Sequence, residues 1–175
     1  MFRLKEHIHV NAPIERCFLL STSIEIVQQT LYMKPREGKL SGLIVNGDRI
    51  LWRGWKFGLP SHHETLITRY ERPAFFQDTM GSGMFRAFQH DHQFEAVDGR
   101  TLMVDVLRFS MRGGPVGRLI GKYIVIPHVL NTMLKRFHLL KRIAEGNDWE
   151  RYLIDANEPA RVKAVTAALD SIQRV

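Results

Sequence analysis

"FQHDHQFEAVDGRTLMVDVLRFSM", residues 88–111, holds two runs of alternating character joined by Asp98-Gly99. That dipeptide is a strong signal for a two-residue hairpin turn, because both residues tolerate positive φ. If it is the whole loop, Val97 faces Arg100 and the pairs run back from there. Phe94 then lies opposite Met103, His92 opposite Asp105, and His90 opposite Leu107. Strand alternation collects Phe88, His90, His92 and Phe94 on one face, together with Met103, Asp105, Leu107, Phe109 and Met111. The reverse face of the first strand carries Gln89, Asp91, Gln93 and Glu95, a set suited to water.

The pattern therefore predicts a long antiparallel pair with an apolar inner face that also bears two histidines and one acid. Asp91 points away from both imidazoles, so the apparent His90-Asp91-His92 triad dissolves into a His92–Asp105 pair with His90 beside it. A carboxylate on such a face requires a partner, since burying it unpaired is costly. The pair has three readings. It can be a satisfied buried pair; it can orient a ligand or act as general acid and base; or, with histidines at i and i+2 plus a carboxylate, it can hold a metal. The expectation is a site without metal or cofactor, and His92 and Asp105 are the candidate catalytic residues should the protein be an enzyme.

Working outward, residues 3–10 read as a strand. Asn11-Ala12-Pro13 reads as a helix start with Asn11 as cap, and two short helices follow, broken near Ser21-Thr22-Ser23. Residues 39–45, 49–57, 61–70, 75–80, 86–97 and 100–111 have strand-like composition. The turn signals Asn46-Gly47-Asp48, Gly58-Leu59-Pro60, Arg72-Pro73, Gly81-Ser82-Gly83 and Asp98-Gly99 separate them, as in a meander. From Pro127 the period becomes helical, with Leu130, Met133, Leu134, Phe137, Leu140 and Ile143 on one face and Lys135, Arg136, Lys141 and Arg142 largely elsewhere. Residues 159–173 suggest a weaker amphipathic helix carrying Val162, Val165, Leu169 and Ile172. The predicted class is α+β: a curved antiparallel sheet of about seven strands wrapped on a long C-terminal helix, with two short helices after the first strand and an extra terminal helix. A curved sheet gripping one helix tends to leave a cavity, where ligand sites sit.

Composition agrees with one globular domain: 175 residues, 45% hydrophobic and 25% charged. The single cysteine, Cys17, cannot form an internal disulfide, and the first residues alternate charge and apolarity instead of forming an apolar signal core. Both point to the cytoplasm. The net charge is +7, and no Asp or Glu occurs from Val106 to Ala144. That basic stretch suggests either a solvated helix face or peripheral contact with anionic lipid. Its basic residues are not interleaved with aromatics, which disfavours nucleic-acid binding.

"HVNAPIERCF", "LWRGWKFG", "ERPAFFQDTMGSGMFRAFQHDHQF", "RTLMVDVLRFSM", "GGPVGRL" and "FHLLKRIAE" together resemble the START-related helix-grip superfamily of polyketide cyclase/dehydrase and lipid-transport proteins, with a bacterial SRPBCC branch as the nearest pattern. The resemblance covers residues 1–145, which it marks as one ligand-binding domain; residues 146–175 lie beyond it as a helical extension able to pack on the sheet or to form a homodimer. It implies a pocket between sheet and helix for a hydrophobic small molecule such as a lipid, polyketide or isoprenoid. Phe88, Phe94, Met103, Leu107 and Phe109 would form the sheet wall, and Leu130, Met133, Leu134 and Phe137 the helix wall. His90, His92 and Asp105 would orient a polar ligand atom. A cyclase/dehydratase using the His92–Asp105 pair and a membrane-docking lipid carrier are the alternatives.

Overall fold

The computed structural model describes residues 1–56 and 58–153. The elements run β1 (Phe2–Val10), α1 (Ile14–Ser21), α2 (Ile24–Leu31), β2 (Met33–Gly38), β3 (Arg49–Lys56), β4 (Leu59–Glu71), β5 (Phe75–Gly83), β6 (Phe85–Val97), β7 (Arg100–Met111), α3 (Gly114–Ile120) and α4 (Ile126–Glu145), with a π-helical turn, Gly121–Val125, between the last two. The seven strands form one antiparallel sheet in the order β1-β7-β6-β5-β4-β3-β2. β1 therefore pairs with the last strand, and α1 and α2 carry the chain across to the opposite edge. The expected helix 159–173 lies outside the described residues.

The hairpin predicted at Asp98-Gly99 is present. Both residues have positive φ, 49° and 74°, as a two-residue turn of this hand demands. The register follows from it: Phe94 pairs with Met103, His92 with Asp105, and His90 with Leu107.

Three local expectations are corrected. Residues 39–45 form no strand; they lie in the β2–β3 connection, where an isolated bridge joins Ser23 to Leu43. The strand comes earlier, at Met33–Gly38, where Pro35 and three charged residues conceal it. It is an edge strand with a bulge between Pro35 and Glu37, where a missing N–H and charged side chains are tolerated. Gly81-Ser82-Gly83 is not a turn between strands; it forms the last residues of β5, and the chain reverses at Met84. Asn11 does not cap α1; Pro13 holds that position, and the Asn11 N–H donates to Glu145 Oε1 at 2.7 Å.

The helix also begins before Pro127. The chain is helical from Gly114, and Pro127 falls in the first turn of α4, where its missing N–H costs little. Gly121 sits in the π turn against β1 and β7; a Cβ there would lie 2.9 Å from Met111 Cγ and 2.5 Å from the Phe2 ring. The lack of a side chain at Gly121 is what lets this helix approach the sheet.

Packing concentrates in two apolar groups. The larger centres on Phe18, whose ring meets Tyr70, Phe76 and Phe94 edge-on at 5.1–5.7 Å, and includes Met103, Phe137, Leu140 and Ile143. Leu153 joins it, with Trp149 and Tyr152 alongside, so core packing continues past the end of α4. The smaller holds Phe85, Leu107, Phe109, Val125 and Met133.

Candidate functional site

Between these two groups lies a cavity of about 140 Å³, lined by members of both. Ile24, Met33, Ile44, Ile50, Trp52 and Phe76 contribute one apolar wall, and Phe85, Phe88, Leu107, Val129 and Met133 the other. The polar lining is concentrated in Asp78, His90, His92 and Arg136, with His63, Lys56 and His128 also reaching the surface of the cavity.

The charged cluster follows from strand geometry. Asp78 of β5 pairs with His90 of β6, and His92 pairs with Asp105 of β7, so the four side chains project from one face across three neighbouring strands. His92 Nδ1 donates to Asp105 Oδ1 at 2.8 Å, and His92 Nε2 lies 3.0 Å from Asp78 Oδ2. His90 Nε2 stands 3.3 Å from Asp105 Oδ2, and His90 Nδ1 stands 3.9 Å from Asp78 Oδ2. From α4, Arg136 Nη1 reaches Asp105 Oδ2 at 3.3 Å while Nη2 donates to the Ser21 carbonyl at 2.8 Å. Phe76 stacks on the His92 ring, with centroids 4.2 Å apart.

Burial works against every charge here, and the partners decide which survive. Burial alone would raise both acids. For Asp105, the neighbouring His92 and His90 imidazoles and the His92 hydrogen bond override it and hold the carboxyl well below the usual range. For Asp78, the His92 hydrogen bond and the neighbouring imidazoles have the same effect. His92 is opposed by burial and by Arg136, yet Asp105 and Asp78 raise its pKa. His90 is lowered, first by burial and then by the His92 charge. The cluster thus sets two carboxylates with depressed pKa against Arg136 and a His92 whose pKa is raised.

His63 lies further along the cavity, and its pKa is lowered to about 4, chiefly by burial; Lys56 reinforces the shift and Asp78 opposes it. A histidine buried neutral takes up its proton more readily when unfolded. Its contribution to stability is therefore complete above the ordinary value of 6.5 and is lost as the pH falls from there towards 4. The loss is expected to reach about 3 kcal/mol, from roughly 1.4 kcal/mol per pKa unit. Urea unfolding of the parent and His63→Leu between about pH 7 and pH 4.5 checks this: the parent should lose more stability over that range than the variant, which keeps only the acid sensitivity of other groups such as His90. Equal slopes would place the acid sensitivity elsewhere.

Of the residues expected to line a pocket, Phe88, His90, His92, Leu107 and Met133 do so. Phe94, Met103, Phe109 and Phe137 are buried in packed core, away from the cavity. Asp105 sits behind the histidines. Leu130 is half-buried and off the cavity, and Leu134 is 38% exposed, so neither belongs to the helix wall. Val129, Thr132, Met133 and Arg136 take that place. Asp91 faces outward as expected, but it is buried under Arg108, Gln77 and Gln89 and not wetted. Of the two adjacent histidines, His63 faces inward and His62 is exposed; of the two tryptophans, Trp52 lines the cavity and Trp55 is exposed.

Sequence reasoning misses Arg136 and Asp78. Arg136 reads as part of the solvated basic face, yet it is 8% exposed. Its spacing holds the signal: it is three residues after Met133 and four before Leu140, on the buried side of α4. Asp78 alternates with Phe76 and Met80, which places it inward, but a turn expected at Gly81-Ser82-Gly83 obscures its partner strand.

The seven-stranded sheet gripping α4, with two short helices after β1, is the helix-grip fold of Bet v 1-like and START-like proteins. Solved structures of similar shape include TTHA0849 from Thermus thermophilus (TM-score 0.64, 15% identity, 81% of this chain and 95% of that one). Ara h 8.0201 matches with a TM-score of 0.61 at 14% identity, over 82% and 97% of the two chains. The Aha1 dimer from Colwellia psychrerythraea gives 0.58 at 15%, over 83% and 97%. At these identities the likeness is one of fold. No family model and no curated protein matches the sequence.

Proposed function

We propose that the protein binds a small, largely apolar molecule whose polar group is held by the Asp78–His90–His92–Arg136 cluster. The observation that carries this reading is that one cavity is lined both by many apolar side chains and by a buried charged cluster, the usual composition of a small-molecule site. About 140 Å³ is close to the size of apolar cavities that accept a benzene-sized guest. A single ring or the end of a chain fits; a whole lipid or polyketide would need the walls to part. NMR titration with single-ring phenols, beside a fluorescent fatty-acid analogue, tests the reading. Saturable shifts at Trp52, Phe88 and Met133 are expected with the ring compounds. An absence of saturable binding by either class would overturn it.

A second reading has its own observation. Val116, Leu119, Ile120, Tyr123 and Ile124 of α3 and the π turn are exposed large hydrophobics, with Arg118 and Lys122 among them. Among the described residues no helix is long and apolar enough to cross a membrane. An apolar face studded with cations suits shallow insertion into an anionic bilayer, and the face leads directly into the stretch carrying His128 at the cavity. We infer a protein that takes its ligand from such a surface. Binding to vesicles containing phosphatidylserine should be salt-sensitive and weakened in Leu119→Asp and Lys122→Glu, each lysine contributing about 1 kcal/mol. Equal partitioning onto neutral vesicles would leave α3 as ordinary surface.

A further inference from the structure

We propose that Asp78, His90 and His92 form a binding site for one divalent transition-metal ion, opening onto the cavity, with Asp105 as the carboxylate that orients the His92 imidazole. The inference concerns polar side chains of the same cavity and does not depend on an apolar guest binding there.

The arrangement has the parts of such a site. Asp78, His90 and His92 each offer one ligand atom, and all three atoms lie within 4.8 Å of one another. The nitrogens directed at Asp78 Oδ2 are His92 Nε2, at 3.0 Å, and His90 Nδ1, at 3.9 Å. Ligands about 2.0–2.1 Å from one ion are themselves separated by roughly 3.0–3.4 Å, so His92 Nε2 and Asp78 Oδ2 already stand at ligand spacing and His90 Nδ1 must close on Asp78 by about half an ångström. The opposite nitrogen of His92, Nδ1, is hydrogen-bonded to Asp105 Oδ1 at 2.8 Å, the outer partner that metal-bound histidines almost always have. His90 Nε2 lies 3.3 Å from Asp105 Oδ2 but makes no hydrogen bond to it. Arg136 in turn compensates Asp105, which leaves Asp78 as the anionic ligand.

A metal ion at this position would take the place of the direct contact between His92 Nε2 and Asp78 Oδ2. Two imidazoles and one carboxylate, with the remaining coordination positions facing a cavity, match the donor sets of zinc and non-haem iron(II). Alkaline-earth ions, which prefer all-oxygen shells, do not suit it. The sequence pattern alone offers Asp105 as the third ligand; the structure puts Asp105 behind the rings and brings Asp78 to the front, and that changes the chemistry of the group.

The test uses the full chain after chelator treatment, titrated with Zn²⁺ by calorimetry and with Co²⁺ by visible absorption. One equivalent is expected to bind, with the Co²⁺ band abolished by excess Zn²⁺. His90→Ala and Asp78→Ala should each weaken binding at least about 100-fold, and Asp105→Asn by about 10–100-fold, as loss of an orienting partner does. Because His92 is the most buried of the ligands, the test rests on His90 and Asp78, with circular dichroism confirming the fold of each variant. If an alanine variant does not fold, His90→Gln replaces it and carries the same expectation. No binding by the parent at 100 µM metal (about that concentration sets the weakest affinity of interest) would overturn the site. So would binding unchanged in both variants, which would assign it to surface histidines. Phenol binding by metal-free parent is read separately, so failure here leaves the ligand-cavity reading to its own experiment.

Discussion

Asp105→Asn is expected to destabilise the protein by about 3–5 kcal/mol near pH 5.5, although the side chain keeps its shape. The substitution leaves Arg136 and a protonated His92 buried without their shared counter-charge, and breaking one member of a buried ionic group costs that much. The pH dependence follows from two opposite signs. Asp105 has a depressed pKa, so its contribution is present above the ordinary carboxylate range and lost as the pH falls through the folded value. His92 has a raised pKa, so its contribution is present below 6.5 and lost as the pH rises through the folded value. Parent and variant should therefore differ most from about pH 4 to 6.5; the difference should fall away below that as Asp105 protonates, and above it should shrink but persist, because Arg136 stays charged beside Asp105. The same substitution should lower the His92 pKa in an NMR titration. Equal stability of parent and variant throughout that window would show that the carboxylate stands apart from the cations.

Phe137→Ala is expected to cost about 3–5 kcal/mol, the range for truncating a fully packed aromatic. Phe137 is 1% exposed and belongs to the core around Phe18, whereas the cavity wall on α4 is made by Val129, Thr132, Met133 and Arg136. Phe88→Ala should cost distinctly less, because that ring is only partly buried and borders open space on the cavity side. Denaturant unfolding of both variants, beside phenol titration, separates the two roles. Phe137→Ala should lose stability and retain binding; Phe88→Ala should do the reverse. A Phe88 loss as large as that at Phe137 would mean that the cavity wall is as closely packed as the core.

Much of the architecture is legible because it rests on short-range rules. Asp98-Gly99 dictates a two-residue turn, the turn dictates the register, and the register places His92 opposite Asp105 without any knowledge of the rest of the chain. The break between α1 and α2 is likewise local, since Ser23 accepts the Ile26 N–H and starts the second helix. The resemblance to helix-grip proteins joins these pieces into one sheet around one helix.

What the sequence by itself determined is the β6–β7 hairpin, its inward face and the polar pair upon it, because turn chemistry and two-residue alternation act between neighbours. Only the tertiary structure decided which pair members meet other partners. Asp78 reaches the histidines through the pairing of β5 with β6, whose register depends on where the chain reverses around Gly83 and Met84. Arg136 reaches Asp105 because α4 crosses the sheet at that point, and a long side chain near the edge of an apolar stripe can go either to water or inward. A buried carboxylate with two histidines still lacked compensating charge, and the fold supplied it from 31 residues away along the chain. The division between cavity wall and packed core was decided the same way: Phe88 and Phe94 share one face of one strand, but Phe18 covers Phe94 and leaves Phe88 at the cavity.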